Sequence, residues 1–571
     1  MPATALRALL LVVVAAPLAA QSPYLDDFAF LQKTVAERAA VPAWKGVDWA
    51  AICAAFRPRF AACADDATHV ALVMELLATL RDSHTGVTRT SVREGLPSKF
   101  DGLYGGGLGF AFDDGKWVLA GAAPGVTVLE QAPAGSMLHA IDGEPAFVAL
   151  ERERRRIVKH LGVSSDHNLW SSLSNRLLPF GGRKESATTF VAPKGLVEVR
   201  VRPWSPSGKA FDADGARRPA GFPAAAGAAS GFLETPWSKR VGRLEITGGM
   251  DAPTEKAFHA AFDGLRGLEA LLIDGRGMGG GGDGPAWDMI GRLFARATPN
   301  GPHRSIEPTG AWNFDGPAVL LQDERMVSSA ETFVWGLSEH ERAISVGRPT
   351  GGWGIIPETF ELPSGKAAFR LGVRDRPTPV KGVKTEGIGW PPDVLMPLGP
   401  VLAAEVDATA SVGLSVLAAL HAGAAPAATR RAFKALADGD LAAYRAFVSG
   451  LGAKAKGRGL ESWADVFKRD LEGEVALEAA AAHSELPAEA CGGQRRAARL
   501  LARAKASKLA REVAELERLQ RALKPEAEAQ AAWRALSDPF APDAPTRAAW
   551  LAKHAKTRFA RYVKDVLWAA R

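Results

Sequence analysis

Two adjacent serines, Ser328 and Ser329, stand in the stretch RMVSSAETFVWGL, between an apolar run and a segment of helical periodicity. The run 318–321 (AVLL) is typical of a short strand, and the apolar residues of 330–337 repeat at helical spacing. A serine at such a junction lies beside a helix N-terminus, where free N–H groups and the helix dipole favour a developing oxyanion. Nucleophilic catalysis by one of the two serines is therefore one interpretation.

Helix capping is the ordinary interpretation of the same residues. Serine is a preferred N-cap, and Ser328 followed three residues later by Glu331 has the spacing of a capping box. The segment alone favours the cap. A catalytic role needs a base elsewhere in the chain, because a serine hydroxyl is a poor nucleophile until its proton is removed.

Three further segments carry residue types that suit such a site. The stretch RDSHTG contains Ser83 and His84, and histidine titrates near neutral pH. LLIDGRGMGGGGDG reads as a strand that runs into a glycine-rich loop and then a helix, and KTEGIGWPPDV carries Glu386. Taken singly, His84 has the alternative of a surface or capping residue, and Glu386 that of an ordinary turn residue.

The signatures of two other enzyme folds are incomplete or missing in this sequence. Residues 275–280 (GRGMGG) satisfy the dinucleotide-binding pattern, which wants an acidic residue at the end of the next strand about twenty residues on. The sequence there, RATPNGPHRSIEP, does not read as a strand end. The chain also contains no G-x-S-x-G, so the nucleophile elbow of an α/β-hydrolase is not indicated.

In chain order the four motifs are RDSHTG, the glycine-rich loop, the Ser328 segment and the Glu386 segment, and a β-rich segment separates the first from the second. This arrangement resembles that of the C-terminal-processing (tail-specific) serine peptidases and their tricorn-type relatives. The resemblance covers about residues 70–400. In the processing branch a lysine base follows in GxPTxGKG, but VGRPTGGWG has Trp353 there, and an indole accepts no proton. The tricorn-type branch instead uses a histidine preceded by serine and a late glutamate.

That branch implies the roles of four residues. Ser328 is the implied nucleophile and His84 the implied base, while Ser83 and Glu386 belong to the network that supports the base. The resemblance also implies an oxyanion site.

The oxyanion donors would be the backbone N–H of Gly280 or Gly281 and that of Ser329. Met278 stands where the family usually has asparagine.

The β-rich segment 105–203 resembles a PDZ domain. Gly107, Leu108, Gly109 and Phe110 match the carboxylate-binding loop of that family, and AGSMLHAIDGEPA resembles a later PDZ stretch. Backbone amides beside a sheet edge can hold the C-terminal carboxylate of a peptide. The alternative is that the two glycines only permit a tight turn before a strand.

The N-terminus MPATALRALLLVVVAAPLAAQ predicts a signal peptide with cleavage near Ala20. Its apolar run is too short for a comfortable transmembrane span, so we expect an exported protein, periplasmic or secreted. Cys53 and Cys63 could pair, or each could be a buried free thiol. The net charge of +7 is spread among mixed signs and does not indicate a nucleic-acid partner.

Several local structures are also predicted. Asp66 or Thr68 caps a helix that precedes RDSHTG, and Asp283 caps the helix after the glycine-rich loop. Pro525 ends a long amphipathic helix in the C-terminal part of the chain.

We predict an α/β fold whose core, by resemblance, is of the Clp-protease/crotonase-like ββα type. The predicted parts are a signal peptide (1–20), a helical N-terminal segment (21–104), a PDZ-like domain (105–203), a linker (204–237), a serine peptidase core (238–400) and a helical C-terminal region (401–571).

The predicted function is that of an exported serine endopeptidase acting on protein or peptide substrates. No cofactor is expected, and no Cys/His spacing predicts a metal site. Two rivals remain open: a catalytically silent peptide- or ligand-binding protein on the same scaffold, favoured by Trp353 and Met278, and a scaffold whose C-terminal helices recruit a partner. No pattern indicates an oligomeric state.

Overall fold

The structure, a computed structural model, describes residues 24–41, 43–98, 106–123, 125–174, 177–178, 184–203, 227–404 and 407–569. The predicted signal peptide, with its cleavage near Ala20, lies outside the described residues, as do positions 204–226 of the predicted linker. Among the helices of the described ranges, none combines the length and apolarity that crossing a bilayer requires.

The N-terminal region is helical, as predicted, and ends in a strand. Asp65 is the N-cap of its third helix and accepts hydrogen bonds from the Thr68 N–H and hydroxyl, so the predictions of Asp66 or Thr68 were wrong. A carboxylate one residue earlier reaches the N3 amide better than one inside the first turn. The elements are α1 (Tyr24–Arg38), a 3-10 turn (Ala43–Lys45), α2 (Trp49–Ala61), α3 (Asp66–Ala78) and β1 (Gly86–Thr90).

Both cysteines of this region are free thiols. Cys53 is buried within α2, and the same helix continues through FRPRF almost to Cys63. The intervening residues therefore separate the two thiols along a helix instead of turning the chain back on itself.

Residues 106–203 form an antiparallel sheet in the order β2-β3-β4-β6-β7, with β5 paired to β4. Three helices accompany the sheet, and we call this part the β region. That it is PDZ-like stays a prediction. Its elements are β2 (Leu108–Asp113), β3 (Lys116–Ala122), α4 (Val128–Gln131), β4 (Met137–Ile141), β5 (Glu144–Pro145), α5 (Ala146–Val158), α6 (Asp166–Ser172), β6 (Ser186–Ala192) and β7 (Gly195–Val201).

The central sheet has the order β17-β14-β13-β10-β9-β8, and every neighbouring pair is parallel except β8 with β9. Strand β8 begins at Ala228, so the core starts before residue 238, inside the predicted linker. The strands of this sheet are β8 (Ala228–Leu233), β9 (Val241–Ile246), β10 (Ala270–Asp274), β13 (Ala318–Gln322), β14 (Ile344–Gly347) and β17 (Val394–Leu395). The same part of the chain also contains β11 (Thr298–Pro299) and β12 (Ser305–Ile306), which pair with each other, and β15 (Ile355–Glu361) and β16 (Ala367–Asp375).

Helices α7 (Ala252–Asp263), α8 (Asp283–Gly291) and α9 (Ser329–Glu339) accompany this sheet, and the predicted α/β fold is confirmed. All five residues of β10 and of β13 are buried, which explains their continuous apolar sequences. The carboxyl ends of parallel strands meet at one edge of a sheet. The loops after β10, β13 and β14 therefore converge there.

A second sheet, β1-β16-β15, is antiparallel and packs against the N-terminal helices. Strand β1 pairs with β16 from Gly86, opposite Arg370, to Thr90, opposite Ala367. This pairing brings RDSHTG, which lies directly before β1, to the core.

The C-terminal region is helical, as predicted. Pro525 lies inside a helix of this region, so the prediction that it ends the helix was wrong. Leu516, Leu523 and Trp533 are buried on both sides of the proline, and their packing outweighs its cost of about 3 kcal/mol. The helices are α10 (Pro400–Ala404), α11 (Ala408–His421), α12 (Pro426–Ala437), α13 (Leu441–Leu451), α14 (Trp463–His483), α15 (Ala490–Ala506), α16 (Ala510–Arg534), α17 (Ala544–His554) and α18 (Arg558–Tyr562).

Candidate active site

Ser328 lies where the loop after β13 turns into α9, and its backbone is strained. Its φ of +55° and ψ of −123° lie in a region that costs a non-glycine residue about 1–3 kcal/mol. Two side chains hold this conformation. The Ser328 N–H donates to Glu331 Oε2 at 3.2 Å, and its carbonyl accepts from Arg376 Nη2 at 2.9 Å.

His84 faces this serine across the junction of the two sheets. Its Nε2 lies 3.0 Å from Ser328 Oγ, the distance at which the hydroxyl donates to an unprotonated ring nitrogen. The residue is 5% exposed, and the Trp353 ring packs edge-on against the imidazole at 5.1 Å between centroids. Within the described ranges, His84 Nδ1 has no hydrogen-bond partner.

The electrostatic surroundings keep His84 neutral. The pKa of His84 is lowered to about 4, mainly by burial; the Asp82 carboxylate acts in the opposite direction, and the Arg370 and Arg376 cations act in the same direction as burial. At pH 7 the ring is therefore free to accept a proton, as a general base must be.

The glycine-rich loop after β10 lies against the serine. A Cβ built on Gly280 would stand 2.5 Å from Ser328 Cβ and 3.1 Å from its Oγ. The Ser329 hydroxyl donates to the Gly281 carbonyl at 2.9 Å. In the described part of the chain, the N–H groups of Gly280, Gly281 and Ser329 donate to no acceptor, so they can serve an oxyanion.

Ser83 lies beside His84 but is bonded to the β region. Its hydroxyl accepts from the Ser164 N–H at 2.8 Å, and its N–H donates to Ser164 Oγ at 2.9 Å. Its contribution is to the loop that carries the base.

Glu386 is buried and close to Asp82, yet it forms no hydrogen bond to His84 among the described residues. One of its oxygens accepts from Lys45 Nζ at 2.6 Å and the other from the Gly354 N–H at 2.9 Å. Burial and then the Asp82 charge raise the pKa of Glu386, while Lys45 opposes that shift.

Glu331 organises the loops around the serine. Besides the Ser328 N–H, its carboxylate accepts from Thr350 Oγ1 at 2.6 Å, the Trp353 N–H at 2.7 Å and the Gly352 N–H at 3.1 Å. Burial is the main cause that raises the pKa of Glu331. The predicted capping interaction of Glu331 with Ser328 is therefore present, and it coexists with the contact between Ser328 and His84.

Sequence reasoning missed several residues of this site. Asp82 accepts from the His84 N–H at 3.0 Å, and its place in RDSHTG was the only signal. Lys45 carried no signal at all. Asn168 of the β region accepts from Trp353 Nε1 at 2.9 Å, a contact that no local motif announces.

Arg376 was also missed, and it explains a wrong prediction. The N-cap of α8 is Gly282, not Asp283. The Asp283 carboxylate instead accepts from Arg376 Nη1 at 2.9 Å and from Thr332 Oγ1 at 2.8 Å, because a guanidinium is the stronger donor.

The predicted peptide-binding loop, Gly107 to Phe110, is buried throughout. The Phe110 N–H donates to the Ser174 carbonyl at 3.0 Å, and the Gly107 carbonyl accepts from the Ala123 N–H. A peptide carboxylate could bind the Phe110 amide only by displacing the chain at Ser174.

One group of three metal-ligand side chains occurs in the described ranges, namely Glu255, His259 and Asp288. His259 Nε2 lies 2.7 Å from Asp288 Oδ2, and Arg292 Nη1 lies 3.2 Å from His259 Nδ1. Since a guanidinium only donates, Nδ1 accepts and Nε2 carries the proton. A protonated Nε2 cannot bind a metal, so the group reads as a hydrogen-bonded chain.

Comparison with known proteins agrees with the predicted relationship. Residues 240–396 match the family model described as Peptidase family S41. This segment holds the glycine-rich loop, Ser328 and Glu386, whereas His84 lies outside it. The match confirms the predicted peptidase family for residues 240–396.

Three solved structures are similar to the chain at low identity. The photosystem II D1 C-terminal processing protease is 17% identical, over 68% of this chain and 99% of its own, with a TM-score of 0.40. Mature CPAF is 16% identical, over 70% and 98%, with a TM-score of 0.48. A putative peptidase from Parabacteroides merdae is 14% identical, over 68% and 96%, with a TM-score of 0.40.

Proposed function

From the premise that the chain belongs, through residues 240–396, to Peptidase family S41 and is a serine-type peptidase, we propose that it is an endopeptidase with a Ser/His/Glu site. Ser328 is the nucleophile and His84 the general base. The observation that carries this proposal is the 3.0 Å contact between Ser328 Oγ and the Nε2 of a buried, neutral His84.

The reaction follows from the roles of these atoms. Ser328 Oγ attacks the peptide carbonyl carbon while its proton passes to His84 Nε2, and the carbonyl oxygen takes up negative charge. His84 returns the proton to the leaving amine, which releases the C-terminal product. A water molecule, deprotonated by His84, then hydrolyses the Ser328 ester and restores the serine.

Backbone amides stabilise the negative charge in both steps. The N–H of Ser329 and that of Gly280 or Gly281 are unengaged next to Ser328 within the described residues, which supports their assignment as oxyanion donors. The positive end of α9 adds to this field, since the helix begins at Ser329.

In this proposal Glu386 acts on His84 indirectly. It does not bond to the imidazole; it fixes the Gly354 amide next to Trp353, whose ring packs on His84. Trp353 occupies the position at which the processing branch has its lysine base. Its ring packs against the imidazole of His84 and does not itself act as a base.

A peptide blocked at both ends tests the proposal. Wild-type protein should cut such a peptide internally, as read by mass spectrometry, and Ser328→Ala should not. Cleavage that persists in Ser328→Ala would remove Ser328 from the mechanism. Release of terminal residues from unblocked peptides only would contradict the endopeptidase assignment.

Export is a second part of the proposal and rests on the N-terminal sequence. Protein recovered from the exported fraction of a host should begin near Gln21, as read by N-terminal sequencing. Val13→Arg, which interrupts the apolar run, should retain the full-length chain inside the cell. Export of that variant at the wild-type level would contradict a signal peptide.

A further inference from the structure

We infer that Lys45 is a positioning residue for catalysis: its buried ammonium ties Glu386 to the loop that carries His84. The inference rests on the proposed Ser328–His84 function and names a third part of the chain on which that function depends. Lys45 belongs to the 3-10 turn Ala43–Lys45, far in sequence from both loops it joins.

The contacts of Lys45 form a clasp. Its side chain is 1% exposed, and its Nζ lies 2.6 Å from Glu386 Oε1 and 2.7 Å from the Arg81 carbonyl oxygen. Arg81 Nη1 donates back to the Lys45 carbonyl at 3.0 Å. Lys45 is thereby bonded to Arg81 through both its side chain and its backbone carbonyl. Arg81 lies three residues before His84, so these bonds fix the turn to the loop that carries the base.

A second route runs from Lys45 to the base through Glu386. The other oxygen of Glu386 accepts from the Gly354 N–H, and the ring of the preceding residue, Trp353, packs on the imidazole. Because His84 Nδ1 has no hydrogen-bond partner in the described part of the chain, packing and the backbone set the orientation of the ring. Lys45 supports the backbone before His84 through its bonds to Arg81, and it supports the Trp353 packing through Glu386.

Charge explains why a lysine stands here. The charged groups that face Glu386 are Asp82 and Lys45, and those that face His84 are Asp82, Arg370 and Arg376. The Asp82 charge raises the pKa of Glu386, and the Lys45 cation opposes that shift and favours the ionised carboxylate. A buried ion pair seldom adds net stability over an apolar pair, so its place beside the base points to positioning.

The neighbouring Trp44 closes the same clasp over the glutamate loop. A Cβ built on Gly387 would lie 2.6 Å from the Trp44 ring, and Gly387 has a φ of +77°. The Trp44 ring therefore lies against the backbone directly after Glu386.

Peptide cleavage by Lys45→Met, measured across pH, tests the inference. We expect kcat to fall by up to about 100-fold, with KM within about twofold, because a displaced base costs rate and not binding. The acid limb of the profile should move to higher pH, because activity requires the unprotonated form of Glu386 as well as that of His84, and Glu386 loses the cation that favours its ionised form. In a Glu386→Gln background, Lys45→Met should move no limb.

Three further variants complete the experiment. Lys45→Gln should repeat the fall and the shift even if Lys45→Met folds poorly, and Lys45→Arg, which keeps the charge, should leave the limb in place. Lys33→Met, at an exposed lysine of α1, is the matched control and should match wild type. An unchanged kcat in Lys45→Met and Lys45→Gln, or the same limb shift in the Glu386→Gln background, would overturn the inference. Absence of cleavage by the wild type would instead fault the proposed function.

Discussion

Two clusters of charged side chains within the described residues differ in how completely their charges are matched. The site cluster consists of Lys45, Asp82, His84 and Glu386. The bridging cluster joins the end of β14 to the β2–β3 turn and the helices α14 and α15, and consists of Asp113, Lys116, Arg348, Glu478, Arg496 and Arg499.

The bridging cluster reinforces every charge it contains. Arg348 pairs with Asp113 at 3.2 Å and with Glu324 at 2.9 Å, and Arg496 pairs with Glu478 at 2.7 Å. Burial alone would raise the pKa of Asp113, but the surrounding cations, Arg348 first, hold it well below its usual range.

The polar groups of the site cluster are less completely paired than those of the bridging cluster. His84 is neutral, one of its ring nitrogens lacks a partner within the described residues, and the pKa of Glu386 is raised. Groups poised in this way can move a proton at working pH. Buried charges that are all paired hold parts of the fold together, as in the bridging cluster. Where one polar group lacks a partner, as His84 Nδ1 does within the described residues, the cluster can be reactive.

The largest expected effect is on stability, from Arg496→Met in the bridging cluster. Glu478 would be left buried without its closest cation, which costs about 3–5 kcal/mol of unfolding free energy. Denaturant unfolding measures this loss, while kcat of the folded fraction should stay at the wild-type value. Arg495→Met, at an exposed pair on the same helix, should cost less than about 1 kcal/mol. Equal losses of unfolding free energy in Arg496→Met and Arg495→Met would contradict the distinction between the buried pairs of the bridging cluster and exposed pairs.

Gly280→Ala should lower activity, whereas Arg496→Met lowers stability and leaves kcat unchanged. The new methyl group would meet Ser328 Cβ at 2.5 Å and displace either the nucleophile or the oxyanion amides. We expect kcat to fall by about 10²–10³-fold, as when one oxyanion donor is lost, with KM little changed. Kinetics of peptide cleavage measure both constants. A kcat within threefold of wild type would contradict the placement of Gly280 beside the nucleophile.

The pH dependence should distinguish the two clusters next. Burial lowers the pKa of His84 to about 4, so the base stays neutral, and competent, well below the ordinary histidine pKa of 6.5. The acid limb of kcat/KM should therefore lie below pH 6.5. His259→Gln, at a histidine outside the site, should leave the limb unmoved. A limb at or above pH 6.5 would contradict a buried, neutral base.

The smallest expected effect comes from Gly284→Ala, which also serves as the matched control for Gly280. Gly284 lies in the first turn of α8, and a Cβ there meets nothing within 4 Å. Replacing a helical glycine should stabilise the fold by about 0.5–1 kcal/mol without changing kcat. Thermal unfolding would register this gain, and a loss of activity would show that the loop tolerates no change.

Much of the fold could be read from local patterns. The apolar runs at 270–274 and 318–322 predicted central strands because a parallel strand is buried on both faces. Pro525 was misjudged because its cost is local, whereas the packing of Trp533 and its neighbours that offsets it is tertiary. The start of the core was also placed too late, since β8 hides in a segment rich in alanine and glycine.

The site was predictable only where residue type announces chemistry. A hydroxyl and an imidazole in suitable contexts predict Ser328 and His84, and the structure brings Ser328 Oγ and His84 Nε2 to 3.0 Å. Lys45 and Glu386 meet across 341 positions of sequence, and nothing in VPAWKGVDW signals that contact. Trp353 was read as a departure from a family motif, whereas its ring packs on the base.

Labelling of the protein with a fluorophosphonate probe tests the central claim most directly, since such a probe captures only an activated serine. Wild-type protein should be labelled, Ser328→Ala and His84→Ala should not, and Ser329→Ala should keep at least part of the label, because the Ser329 hydroxyl bonds to the Gly281 carbonyl and not to the base. Peptide mapping should find the adduct on Ser328. An unlabelled wild type whose circular dichroism is that of a folded protein, or an adduct on Ser329, would contradict the account.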